Sequence, residues 1–139
     1  MKTIPEILQY AKTIAVVGLS DKPDRASYGV AAYLQQNGYR ILPVNPACAG
    51  QQILQETVYA SVQDAAAALA PGEKIDIVDC FRKPEAIVPI AREAIAVGAG
   101  CLWMQLEIEN EEAAEMARAA GLDVVQNHCL KIEHRMRAG

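Results

Sequence analysis

A chain of 139 residues, of which 52% are hydrophobic and 22% charged, has the length of one ordinary domain and enough apolar side chain for a core, which excludes wholesale disorder. Its formal net charge of −4 argues against duplex nucleic acid as a partner, because such binders rely on a surplus of Lys and Arg. No apolar stretch approaches the roughly 20 residues that cross a bilayer, and Met1–Glu6 lacks a secretory pattern, so no membrane partner and a cytoplasmic location are expected.

Thr3 can cap a short helix that has Pro5 in its first turn and runs to about Tyr10. Thr13–Val17 is a short apolar run with β-branched residues, ending at Gly18, and reads as a buried parallel strand. A polar loop follows, then a helix from Ser27 to Asn37 that shows Val30, Tyr33 and Leu34 on one face, with Gly38 as its C′ residue. Arg40–Val44 is the second strand. Pro43 marks its end or an imperfectly paired position, and Asn45-Pro46 turns the chain. Residues 47–56 read as a long polar loop, and Thr57–Tyr59 as a brief extended piece.

Ser61–Asp64 starts a helix that runs through the alanines to Ala70, where Pro71-Gly72 stops it. Ile75–Cys80 is the third strand. A helix begins near Pro84-Glu85 and ends before Gly98. Gly100–Met104 is the fourth strand. Another helix runs from about Asn110, with Glu111 and Glu112 where its dipole favours acids, to Gly121. Leu122–Val125 is the fifth strand, and Cys129–His134 a short closing helix. This alternation implies right-handed βαβ units. The fold class expected is α/β, a Rossmann-like three-layer sandwich with a five-stranded parallel sheet in the order 3-2-1-4-5, and residues 1–139 form a single domain.

The four cysteines, Cys48, Cys80, Cys101 and Cys129, show neither CxxC pairing nor metal-ligand spacing and read as packed thiols. No metal site is expected. His128 and His134 read as satisfied or solvated rings, and no nucleophile-base-acid set can be assembled, so no catalytic residue is expected.

The chemistry converges elsewhere. In a parallel α/β sheet, ligands lie outside the carboxyl ends of the strands. There the first loop offers Gly18, Ser20, Lys22, Arg25 and Ser27: hydroxyls, cations and the N–H groups of a helix start, all suited to an anion such as phosphate. The other strand ends add Asn45 and Pro46, then Phe81, Arg82 and Lys83, then Trp103 and Gln105. Cations beside planar apolar surface suit an adenine nucleotide with several phosphates. A dinucleotide fingerprint would need glycines at Ser20 and Pro23 and an acid near the end of the second strand, where Val44-Asn45-Pro46 stands; the P-loop spacing is also absent. For each side chain a plainer role stands beside this one. Lys22 and Arg25 are as readily solvated loop charges, Ser20 a bond within its own loop, Asn45 turn chemistry, and Trp103 a core residue.

The series Val16-Val17-Gly18-Leu19-Ser20, Lys22-Pro23-Asp24-Arg25, Ser27-Tyr28, Gly38-Tyr39, Pro43-Val44-Asn45-Pro46, Asp79 with Phe81-Arg82-Lys83-Pro84-Glu85, Leu102-Trp103-Met104-Gln105-Leu106, and Cys129-Leu130-Lys131-Ile132-Glu133-His134 resembles the small stand-alone CoA-binding proteins of bacteria and archaea. Their domain is similar to the N-terminal CoA-binding domain of the succinyl-CoA synthetase alpha subunit. The resemblance implies that coenzyme A or an acyl-CoA is held without catalysis. The Gly18–Arg25 loop would take phosphates, and Asn45-Pro46 and the Phe81–Pro84 turn would border adenosine and diphosphate. Trp103–Gln105 would lie toward the pantetheine. Two departures stand out. The family's glycine after the Trp-x-Gln-Leu run is Glu107 here, whose charge could narrow or repel the pantetheine path, and a glycine before Thr57 is replaced near Gln55. The alternatives are a nucleotide-dependent enzyme subunit with CoA-thioester or NAD(P) chemistry, and an interaction module that has lost its ligand. The partner expected is a small-molecule nucleotide. The sequence leaves room for a homodimer and names no protein partner.

Overall fold

Strands that are apolar along their whole length need a neighbour on each side and a helical layer on each face. The computed structural model, which describes residues 1–138, supplies both around Thr13–Val17 and Ile77–Cys80, each buried at every position. In chain order the elements are α1 (Ile4–Tyr10), β1 (Thr13–Val17), α2 (Ala26–Gln36), β2 (Arg40–Val44), β3 (Gln52–Ile53), β4 (Glu56–Thr57), α3 (Val62–Ala67), β5 (Ile77–Cys80), α4 (Ile87–Ala96), β6 (Cys101–Met104), α5 (Glu111–Ala119), β7 (Asp123–Val125) and α6 (Leu130–Ala138). Short 3₁₀ turns cover Pro46–Cys48 and Pro84–Ala86. Gly139 of the expected 1–139 domain lies outside the described residues.

Five strands form one parallel sheet in the order β2-β1-β5-β6-β7. Side chains of α1, α2 and α6 pack on one face with Ile14, Val16, Ile77 and Trp103. Those of α3, α4 and α5 pack on the other with Ala15, Val17, Val78 and Leu102. This is the expected Rossmann-like three-layer sandwich.

One strand sits elsewhere than expected. Counted in chain order within the sheet, the observed order is 2-1-3-4-5, not 3-2-1-4-5, because the strand ending in Asp79-Cys80 lies against β1 and not outside β2. Pro43 explains the difference. Its carbonyl points outward, accepting the Tyr59 N–H at 2.9 Å. The N and O of one strand residue point the same way, so its missing N–H also falls on the outer side, and proline belongs on an edge strand. A single parallel bridge from Val44 to Tyr59 is the outer pairing β2 makes. The chain therefore reverses direction across the sheet between β1 and β5, the kind of point at which open α/β sheets hold their ligands.

Several ends follow local chemistry. Thr3 and Glu6 form a reciprocal capping box on α1, Ser61 accepts from Asp64 N–H at 3.0 Å, and Asn110 accepts from Ala113 N–H at 3.0 Å. Three local readings change. The stretch 47–56 holds a 3₁₀ turn and most of a small β3–β4 hairpin, whose turn residues Leu54 and Gln55 lie at φ +54° and +67°, as a type I′ turn requires. The hairpin buries Ile53, which gives the polar stretch its tertiary anchor. Helix α3 ends at Ala67, short of Ala70. Helix α6 extends past His134, whose ring packs against Tyr33 and Tyr39.

Candidate functional site

The carboxyl edge begins at Gly18, which lies at φ +88°. A Cβ there would stand 2.4 Å from the Phe81 carbonyl oxygen and 3.2 Å from Arg82 Nε. Glycine is therefore required twice, by the left-handed backbone and by the close approach of the two loops that flank the crevice. Gly18 N–H donates to Val44 O at 2.8 Å and Phe81 N–H to Val17 O at 2.9 Å, so the ends of β2, β1 and β5 are tied together at this point.

The following loop is held by its own hydroxyls. Ser20 N–H donates to Ser27 Oγ at 3.0 Å, and Lys22 N–H to Ser20 Oγ at 3.1 Å. Ser27 is thereby buried as a structural tie. Helix α2 begins at Ala26 with Arg25 as its N-cap and no side-chain cap. Its first intrahelical donor is Gly29 N–H, which reaches Arg25 O at 3.1 Å. The N–H groups of Ala26, Ser27 and Tyr28 therefore have no acceptor within the helix. Lys22 and Arg25 are exposed beside this helix start, and among the described residues their side chains make no ion pair.

Asn45 joins the neighbouring strand ends. Its Nδ2 donates to Leu19 O at 3.0 Å, and its Oδ1 accepts from Ala47 N–H at 3.0 Å and from Arg82 Nη2 at 3.4 Å. Pro46 is exposed as the first residue of the 3₁₀ turn. Arg82 is half-buried and Lys83 exposed. Phe81 packs partly into the core on the α2 face. Gly18, Asn45, Pro46, Phe81, Arg82 and the first loop thus converge at one end of the sheet. A cleft of about 340 Å³ opens there, lined by Val17, Val44, Pro46 and Arg82 together with Ser61, Val62, Ala86, Ile90 and Glu93. Sequence reading treats Ser61 only as a helix cap and does not single out Glu93, whose carboxylate accepts from Val62 N–H at 2.9 Å. Only the adjacency of α3 and α4 brings them to this edge.

Trp103 departs from its expected place as an apolar wall. It is fully buried in the core on the α1/α2/α6 face, where its Nε1–H donates to His128 O at 2.8 Å. Alternation along β6 turns it inward, and the lead-in to α6 covers it. Gln105, just past the end of β6, is 3% exposed, and its Nε2 donates to Asp79 Oδ1 at 2.5 Å. Asp79 is fully buried, and its Oδ2 has no hydrogen-bond partner. Burial pushes its carboxyl up to about 7, the bond from Gln105 acting in the opposite direction. Sequence reading takes Asp79 only as part of a motif. Its burial depends on helices remote in the chain.

Beyond Gln105 the edge is open: Leu106 and Glu107 are exposed. Glu107 lies at φ +66°, and its N–H donates to Asn127 Oδ1 at 2.7 Å. Both sites where the resemblance leads one to expect glycine, Glu107 and Gln55, keep the left-handed backbone that glycine adopts without strain.

The two histidines are engaged with other side chains. His128 Nδ1 pairs with Glu133 at 3.2 Å, and His134 Nδ1 with the Tyr33 hydroxyl at 2.8 Å. Cys80 and Cys101 are buried, and burial raises both thiols well above their ordinary range. Clefts of about 240 and 640 Å³ lie at the opposite edge, by the amino ends of the strands. Their charges are largely satisfied by one another: Arg40 pairs with Glu73 at 3.2 Å, and Asp76 accepts the Lys12 and Thr13 N–H groups at 2.8 and 3.0 Å. The cleft of about 340 Å³ opens at the carboxyl edge, the end of the sheet that also carries Lys22, Arg25 and the open start of α2.

YneT of Bacillus subtilis (strain 168), itself described as uncharacterized, is 39% identical over 131 residues, covering 94% of this chain and 91% of that protein. A solved structure of a hypothetical protein from Pyrococcus horikoshii OT3 superposes with a TM-score of 0.88 at 40% identity, covering 98% of this chain and 90% of the other. The acetate–CoA ligase (ADP-forming) II of Archaeoglobus fulgidus is 31% identical over 137 residues, which span 94% of this chain and 19% of the enzyme. The family described as CoA binding domain matches residues 12–135, and the chain belongs to that family.

Proposed function

We propose that the protein binds coenzyme A or an acyl-CoA across the carboxyl ends of β1, β2, β5 and β6 and performs no chemistry on it. The observation that carries this reading is the uncapped start of α2. Unsatisfied N–H groups and the positive end of the helix dipole face an edge that also holds Lys22, Arg25, Arg82 and Lys83. Such an arrangement suits a ligand with several phosphates. Gly18 lets the chain come close at the same point, and Asn45 holds Arg82 in place.

The family membership supports CoA as the ligand, as does the likeness to part of a ligase named for CoA. That likeness spans 19% of the enzyme, so the ligase activity is not carried over. Glu107 at the end of β6 borders the path that a pantetheine arm would take from the phosphates.

Isothermal titration with CoA, dephospho-CoA and NAD tests the reading. CoA should bind, dephospho-CoA should bind about tenfold or more weakly through loss of charge-assisted bonds, and NAD should not bind. Equal affinity for CoA and dephospho-CoA would refute the role given to the cations. Binding of NAD in place of CoA would reopen a dinucleotide enzyme.

A further inference from the structure

Asp79 poses a question that packing alone does not answer. A fully buried carboxyl keeps one oxygen without a partner, and its neighbour Gln105 is the last buried residue before β6 opens onto the edge. The two oxygens of Asp79 are unequal: Oδ1 takes the Gln105 Nε2–H, and Oδ2 faces no donor. When protonated, Oδ2 becomes a donor in need of an acceptor, and the Gln105 amide carries one, Oε1, on the same planar group. Acid and amide can then close face to face, which consumes both ends of the amide. When ionised, Oδ2 and Oε1 are both acceptors and repel, and only Nε2 remains attractive to Asp79.

We infer that Asp79 is a positioning residue for the ligand edge: its protonation draws the Gln105 carbonyl oxygen inward, and its ionisation turns that oxygen outward to accept an N–H from the bound arm. The inference rests on the reading of CoA at this edge, whose pantetheine arm carries amide N–H groups.

The surroundings of Asp79 leave the switch to this pair. On its own strand and the next, Cys80 and Cys101 feel the carboxylate as buried thiols. Strand β1 contributes the apolar Ile14 and Val16 to this face. Helix α2 brings Tyr28 and Tyr33, and α6 with its lead-in brings His134 and Cys129. The loop after β5 carries Arg82 and Lys83 at the surface. Burial raises the Asp79 carboxyl and the Gln105 bond lowers it, which leaves it at about 7.

Two measurements on the full chain test this. The first follows the Gln105 side-chain amide by nitrogen-15 NMR in the ligand-free protein between roughly pH 5 and 9. The signal should titrate in the native chain and stay flat in Asp79→Asn. The second measures CoA affinity over the same range. Affinity should rise about fivefold more in the native chain than in Asp79→Asn, the equivalent of one hydrogen bond. The comparison cancels the ionisation of CoA's own phosphate near pH ~6. A Gln105 signal that does not titrate in the native chain overturns the inference, even where Asp79→Asn fails to fold. Parallel affinity profiles overturn it as well. A titrating Gln105 with no CoA binding at any pH supports the switch and refutes CoA as its ligand.

Discussion

Replacing Asp79 with Asn should make stability insensitive to pH where the native chain loses it. The folded carboxyl sits at about 7, raised from 3.8 by burial. A carboxyl raised in the folded state is held protonated there, so its stabilising contribution is complete below the unfolded value and declines as pH rises through the folded one. Across that window of about three units, at 1.36 kcal/mol each, the native chain should lose about 4 kcal/mol relative to a group that cannot ionise. Asparagine keeps the acceptor for Gln105 Nε2, and its amide N–H₂ stands where the protonated acid's O–H donates to Gln105 Oε1. The two chains should therefore be similar near pH ~4, and Asp79→Asn the more stable by about 4 kcal/mol near pH ~8. Urea unfolding at intervals across this range measures the difference. Parallel stability curves for the two chains would show that Asp79 is ionised with little penalty, and the argument from its burial would fail.

Gly18→Ala should cost roughly 3 kcal/mol, the sum of left-handed backbone strain and a Cβ forced against the Phe81 carbonyl. Urea unfolding measures this, and a loss below about 1 kcal/mol would mean that the two loops can separate freely. Trp103→Phe should destabilise by about 2 kcal/mol through the lost bond to His128 O while leaving CoA affinity unchanged. A loss of affinity without a loss of stability would return Trp103 to the ligand wall. Glu107→Gly should change stability by less than about 1 kcal/mol, because relief of its φ of +66° is offset by greater freedom of the unfolded chain. Removing the carboxylate should strengthen CoA binding in titration calorimetry, and unchanged affinity would place the arm away from this turn.

Much of the fold is local and was legible in the residues. The apolar runs at Thr13–Val17 and Ile77–Cys80, the caps at Thr3, Ser61 and Asn110, and the glycines that close the helices carry their signals within a few positions. From these follow a parallel α/β sheet and an edge where the strand ends and the α2 start meet. Even Pro43 held the evidence that β2 is an edge strand, since a missing N–H excludes a second full neighbour. The sequence alone therefore determined the element types, their alternation and the end of the sheet at which Gly18, Asn45 and Arg82 gather.

The tertiary structure decided what depends on residues far apart in the chain. It placed β5 beside β1, folded Gln52–Thr57 into a hairpin over Ile53, and brought Ser61 and Glu93 to the cleft. It enclosed Trp103 beneath the lead-in to α6 and sealed Asp79 against Gln105. A strand's period tells which side chains share a face, but it does not say which face a helix remote in sequence will cover. Burial is a sum over all such neighbours, and with it the ionisation of Asp79 is set by the assembled fold.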